Sequence, residues 1–196
     1  MGSRPAADRA SVPVVKNLSF RKATIGDANA IVAIVNAAYR GEASRKGWTT
    51  EADLLAGSRT DFGDVVVLLE AQDSLILLAE LAGHDGPAIL GSVHLERTEE
   101  DAEIAAFLGM FAINPDYQAR GLGKQMMQAA EALVQREWDA HKMLMDVISV
   151  RCELITFYER RGYRLTGKVK PFPVNPDLWT AKATKLELAR MEKPLV

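Results

Sequence analysis

The chain has 196 residues, of which 48% are apolar and 26% charged, an ordinary composition that excludes wholesale disorder and a collagen-like repeat. One domain of this length buries a sizeable core unaided, and a single cysteine cannot close a disulfide, so a disulfide-built mini-fold is excluded and a reducing cytoplasmic location is expected. With 24 basic against 26 acidic residues, a formal charge of -2 and no basic-aromatic surface pattern, nucleic acid is not an expected partner.

Residues 1–17 are polar and rich in small side chains, and read as a flexible N-terminal tail ahead of a single domain over 18–196. Leu18–Lys22 reads as a strand. Apolar residues at Ala28, Ile31, Val32, Val35 and Ala38 predict an amphipathic helix after Thr24 and Asp27, ending near Tyr39–Gly41. A short helix is expected over Glu51–Ala56 behind Thr49 or Thr50. Another is expected over Phe62–Glu70, although its valines are poor helix formers.

Ser74–Leu81 and Ala88–Glu96 read as strands joined by a turn at Gly83–Gly86. After a polar turn at Glu99–Asp101, Ala102–Ile113 reads as a longer strand. Gly109 within it marks a bulge or a close backbone approach. Pro115 ends that strand. Gly121–Asp139 is then a long helix, Lys142–Val150 a strand, Cys152–Arg161 a helix stopped by Gly162, and Tyr163–Thr166 extended.

Pro171, Pro173 and Pro176 make a loop, and Lys182–Ala189 alternates as a final strand. The apolar runs at Val65–Leu69 and Leu75–Leu81 are far shorter than a membrane span of about 18 residues. This order implies one mixed α/β domain around a central sheet, with the long helix crossing between parallel strands.

The segment Ile113-Asn114-Pro115-Asp116-Tyr117-Gln118-Ala119-Arg120-Gly121-Leu122-Gly123-Lys124 lies between a strand and a helix. Glycines there let backbone approach a ligand, and the free amides of a first helical turn favour an anion. Spacing alone fits a phosphate cradle and a tight strand-to-helix junction equally. A Walker A loop is excluded, because Gln118 stands where its first glycine belongs and Gln125 follows Lys124. A dinucleotide fingerprint is excluded by Met126 at its third glycine.

Gln118-x-x-Gly121-x-Gly123 after Ile113-x-Pro115 resembles the acyl-coenzyme A signature of the GNAT superfamily of N-acetyltransferases. Phe157-Tyr158-Glu159-Arg160-Arg161-Gly162-Tyr163 resembles its later helix-and-turn motif. The resemblance spans about residues 18–190. It implies a GNAT-like mixed central sheet of about six to seven strands flanked by helices. It also implies transfer of acetyl from acetyl-CoA to a primary amine of a small molecule or peptide.

By the same resemblance, backbone at Gln118, Ala119, Arg120, Gly121, Leu122, Gly123 and Lys124 binds the coenzyme pyrophosphate. Met110, Phe111, Ala112 and Ile113 lie along the pantetheine arm, between two strands that splay apart. Tyr158 matches the tyrosine that reaches the coenzyme sulfur as general acid. Arg151 replaces an asparagine that holds the arm, and is expected to line the coenzyme channel or fix the strand-to-helix turn. The family often dimerises, so a homodimer is an expectation. A non-catalytic acyl-CoA-binding protein on the same fold is the alternative.

Direct transfer needs a neutral amine, a donor for the developing oxyanion and a proton for the leaving thiolate. The glutamate used as base by histone-modifying relatives falls at Phe107 here. Glu103, His94, Glu96 and Glu42 are weaker candidates, and water-mediated deprotonation fits equally. Cys152 lacks a nearby histidine to make a nucleophilic pair, and His84, His94 and His141 have no metal-ligand spacing, so no metal is expected. Substrate recognition is expected from two loops. One is Tyr39–Glu51, where Trp48 offers apolar surface and Glu42 and Glu51 attract a cation. The other is Lys170–Pro176.

Overall fold

The computed structural model describes residues 18–83, 86–182 and 185–195. The tail expected over 1–17, together with His84 and Asp85 of the expected turn, lies outside the described residues. The chain begins with β1 (Leu18–Lys22), a 3-10 turn, α1 (Ala28–Tyr39), α2 (Gly41–Ser44), β2 (Leu55–Gly57) and α3 (Phe62–Glu70). It continues through β3 (Ser74–Leu81), β4 (Ala88–Glu100), β5 (Glu103–Ile113), a second 3-10 turn and α4 (Leu122–Trp138). It ends with β6 (Lys142–Ile148), α5 (Cys152–Glu159), β7 (Arg164–Pro171), β8 (Trp179–Ala181) and β9 (Glu187–Pro194). Seven strands form one mixed sheet in the order β1-β3-β4-β5-β6-β9-β7, and β2 pairs with β8 in a separate ribbon. The parallel pair is β5 with β6, the two strands joined through α4.

Alternation along the strands divides the core between the two sheet faces. On β3, Leu77 and Ala79 pack with Leu122, Met126, Ala130 and Leu133 of α4. Ile76 and Leu78 pack with Ile31, Val35 and Ala38 of α1 and Val65 of α3. Burial of each large aliphatic side chain contributes about 1.5–3 kcal/mol. That packing explains α3, whose valines disfavour a helix. Val65 is fully buried, and Asp61 caps the first turn by accepting from the Asp64 amide at 2.8 Å.

The expected helix over Glu51–Ala56 does not form. The amides of Leu54 and Leu55 share the Glu51 carbonyl at 2.9 Å in a single turn, and Leu55–Gly57 then pairs with Trp179–Ala181. The last strand begins at Glu187 and runs to Pro194, residues 183 and 184 of the expected Lys182–Ala189 strand lie outside the described residues, and the Lys182 amide donates to Leu54 O at 2.8 Å. The extended piece at Tyr163–Thr166 is the beginning of β7, which continues to Pro171. As an edge strand it tolerates a terminal proline. The β4–β5 turn falls on Asp101 and Ala102, with φ of 55° and 63°, the left-handed pair that suits a tight hairpin.

One irregularity shapes the site. Ser92 pairs with Ala112, but His94 pairs with Gly109, so Met110 and Phe111 together oppose Val93. Met110 takes a φ of 43° in this bulge, one residue beyond Gly109. Pairing of β5 with β6 ends at Leu108 and Met145. A bulge bends and twists its strand, and here Gly109–Ile113 parts from the end of β6.

Candidate active site

The segment after β5 is shaped by local interactions. The Asn114 side chain accepts from the Asp116 amide at 3.0 Å, and Pro115 opens the 3-10 turn. Ala119 and Gly121 are left-handed, with φ of 59° and 76°. Helix α4 starts after Gly121, and the Gln125 amide donates to Gly121 O at 3.2 Å. The first-turn amides of Leu122, Gly123 and Lys124 therefore have no carbonyl within the helix. The Ala119 and Arg120 amides have no partner among the described residues. These donors sit at the positive end of the helix dipole. A Cβ on Gly121 would meet nothing within 4 Å, so its backbone conformation, not crowding, is what demands glycine there. A Cβ on Gly123 would lie 3.5 Å from Phe157 and 3.6 Å from Phe111. Arg120 rests over the Tyr117 ring at 5.3 Å.

The Gln118 side chain is engaged elsewhere. Its Nε2 donates to Ile113 O at 3.0 Å and Thr49 Oγ1 at 2.9 Å, while its Oε1 accepts from the Trp48 amide at 3.0 Å. Arg151 grips the same loop from behind. It donates to Trp48 O at 3.0 Å, Thr50 O at 2.7 Å and Thr49 O at 3.4 Å, and it pairs with Glu153. Arg151 is 6% exposed and lines neither part of the cleft. Its guanidinium instead fixes the loop that does.

The splay of β5 from β6 opens a cleft in two parts. The first, about 270 Å³, is lined by Gln118, Gly121, Gly123 and Lys124 on one side and by Trp48, Phe157 and Arg161 on the other. The second, about 260 Å³, is lined by Phe107, Met110, Asp146, Arg59, Phe172 and Trp179, among others. Tyr39, Phe111, Leu154 and Tyr158 line both, so the two parts meet there. Tyr158 is 7% exposed. Burial, reinforced by Tyr39 and Glu51, holds its hydroxyl pKa well above the ordinary tyrosine value, so it carries its proton at neutral pH. Its hydroxyl makes no hydrogen bond among the described residues. The Tyr39 hydroxyl donates to Phe111 O at 2.8 Å, within the bulge.

The weaker base candidates do not converge on the cleft. Phe107 lines the second part, beneath the Arg190 guanidinium at 5.4 Å. Glu103 pairs with Glu100 at the far end of β5, and Glu96 is exposed opposite Phe107. His94 is buried, 2.9 Å from Ser74 Oγ through Nε2, and burial lowers its pKa to about 4. Glu42 is exposed and binds Arg45 at 3.0 Å. Glu51 does line the second part, but as the buried partner of Arg40 rather than a free anion.

Trp48 falls on the side of the glycine-bearing junction, 5.1 Å from the Phe157 ring, instead of on the far side. Lys170, Phe172 and Pro173 line the second part. Cys152 is exposed. Among the described residues no cluster of His, Cys, Asp or Glu could hold a metal ion, and no helix is long and apolar enough to cross a membrane.

Sequence reasoning gave no role to Arg59, Asp146 or Arg161. Arg161 had a signal, being the residue before Gly162 in the second motif. Arg59 and Asp146 had none, since only the packing of α1, β6 and the β2 region brings them to one wall.

The family model described as acetyltransferase (GNAT) matches residues 30–163. No curated protein sequence matches the chain. Among solved structures, a spermidine N-acetyltransferase from Vibrio cholerae, in complex with CoA and spermine, is 18% identical with a TM-score of 0.64, covering 91% of this chain and 96% of that one. The ribosomal-protein-S18-alanine N-acetyltransferase from Escherichia coli is 14% identical with a TM-score of 0.63, covering 91% and 94%. A Salmonella typhimurium protein solved with its cofactor acetyl-CoA is 19% identical with a TM-score of 0.63, covering 92% and 95%. These likenesses establish the fold. The family match takes in the splayed strands, the glycine-bearing junction and the Tyr158 helix, and the chain belongs to the GNAT acetyltransferase family.

Proposed function

We propose that the chain is an acetyl-CoA-dependent N-acetyltransferase that moves acetyl directly to a primary amine. The observation that carries this reading is the two-part cleft meeting at Tyr158, with unpartnered amides at one end and a separate chamber at the other. A non-catalytic binding protein would not need the second chamber.

The amides from Ala119 to Lys124 suit a pyrophosphate, with Arg120 and Lys124 adding positive charge. The parted backbone of Met110–Ile113 offers hydrogen bonds to an extended pantetheine arm. Bound acetyl-CoA would supply the activated acetyl thioester. Tyr158, buried, keeps its proton and gives it, or a strong hydrogen bond, to the departing sulfur. Arg151 and Gln118 hold the Trp48–Thr50 loop against the first chamber. The amine loses its proton through water, because the two carboxylates lining the second chamber are both ion-paired. Placing both reactants in line contributes much of the rate.

The test is acetyl-CoA consumption across amines, amino acids and peptides, with product masses measured. A product acetylated on nitrogen is expected. A consistently O-acetylated product, or tight coenzyme binding with no product from a broad panel, would overturn the reading. A cytoplasmic homodimer is the assembly this reading carries. Light scattering at micromolar concentration measures the dimer, and a monomer throughout removes it.

A further inference from the structure

The second chamber narrows the choice of acceptor. Its wall includes Arg40, Arg59 and Lys170 against Glu51 and Asp146. Both carboxylates are already matched. Glu51 pairs with Arg40, and Asp146 is held by Arg190 at 2.5 Å and by Lys170 at 2.7 Å. Positive charge is therefore in surplus.

Two guanidiniums on this wall have donors to spare. The Arg40 side chain is 4% exposed, and its Nε and Nη2 have no hydrogen-bond partner among the described residues. Leaving buried donors unmade is costly, and such groups call for a missing partner. Arg59 makes no side-chain hydrogen bond or ion pair among the described residues. Its guanidinium lies 5.9 Å from the centre of the Tyr39 ring, beside a residue shared by both chambers.

We propose that the acceptor is an amine that also bears a carboxylate, an amino-acid-type substrate whose carboxylate is held by Arg59 with Arg40 behind it. This rests on the N-acetyltransferase reading. The planar fork of arginine matches a carboxylate with two parallel hydrogen bonds. With the carboxylate at that wall, the amine is left to face the junction at Tyr158 and Phe111. A polyamine lacks the anion and adds cations to a wall already positive. The sign of this charge reverses the one expected from Glu42 and Glu51, since one is exposed on Arg45 and the other is neutralised by Arg40.

The experiment offers wild-type protein a set of free amino acids, each beside its carboxamide and its decarboxylated amine. N-acetyl product is measured by mass, and binding of the same compounds to the protein–CoA complex is measured by calorimetry. Wild type should favour the carboxylate member by about 10-fold or more in kcat/KM, or in affinity. Arg59→Gln should cut that member about 10- to 100-fold and abolish the preference, with CoA affinity unchanged, and Arg59→Lys should restore part of it. Amides or simple amines accepted as well as the acids would overturn the proposal and leave the transferase reading standing. Carboxylate binding that depends on Arg59, with no acetylated product from any amine, would support the anion site and sink the transferase reading. Neither turnover nor carboxylate-dependent binding would overturn the proposal, and the wild-type comparison decides this without any variant.

Discussion

Replacing Arg151 with methionine tests whether the coenzyme side of the cleft is built by a buried clamp. The guanidinium makes two strong hydrogen bonds to carbonyls of Trp48 and Thr50, at 3.0 and 2.7 Å. The contact to Thr49 O at 3.4 Å is marginal. Its pair with Glu153 adds little, because that carboxylate side chain is 52% exposed. Charged donors to carbonyls are worth about 1.5–3 kcal/mol each. Methionine fills some of the space but donates nothing, and the loop relaxes partly into water, so a net loss of about 3 kcal/mol is expected. For a domain of this size that lowers the melting temperature by about 6–12 °C.

Circular dichroism against temperature measures the loss, and calorimetric titration of the folded variant with acetyl-CoA measures the second consequence. Freed from Arg151, the Trp48 loop should leave the first chamber, and coenzyme affinity should fall. Lysine at the same position keeps the charge without the fork and should rescue only in part. Gln118 holds the same loop, so Gln118→Leu and Arg151→Met should combine non-additively. A variant melting within about 2 °C of wild type with unchanged coenzyme affinity would refute the clamp.

Three further outcomes are expected. Tyr158→Phe should lower turnover about 10- to 100-fold with little change in coenzyme affinity, and unchanged turnover where chemistry limits the rate would reject its role as acid. Gly121→Val should weaken acetyl-CoA binding through backbone strain of about 1–2 kcal/mol at a φ of 76°, and equal affinity by titration would sink the cradle assignment. His94 is buried neutral with its pKa lowered to about 4, against an ordinary value of 6.5 in the unfolded chain. The unfolded state therefore binds more protons in that window, so the stability His94 contributes is complete above about pH 6.5 and is lost as pH falls towards 4, by about 3 kcal/mol. Denaturant titrations at stepped pH should show a flatter profile for His94→Asn, and an identical slope would refute the assignment.

What the sequence determined by itself was local. The apolar period placed α1 and β3, because that signal acts within a few residues. The junction from Asn114 to Lys124 is equally local: an Asx turn, a proline and a left-handed glycine expose a run of amides whichever residues pack around them.

The remainder was decided by partners remote in the chain. Glu51–Ala56 gave up its helix because Leu55–Gly57 found β8, a pairing that no local propensity reports. Gln118 and Arg151 carry the residue types of a coenzyme site, yet their side chains are spent on the Trp48–Thr50 loop. The far chamber draws Arg59, Asp146 and Phe172 from separate elements onto one wall. Its charge depends on which ionic groups neutralise each other in the folded chain. Hydrogen-bond partners and ion pairs are settled by distances of a few ångströms in space. Residue order sets such distances only over a turn or two of chain, and beyond that the packing of the sheet and helices sets them.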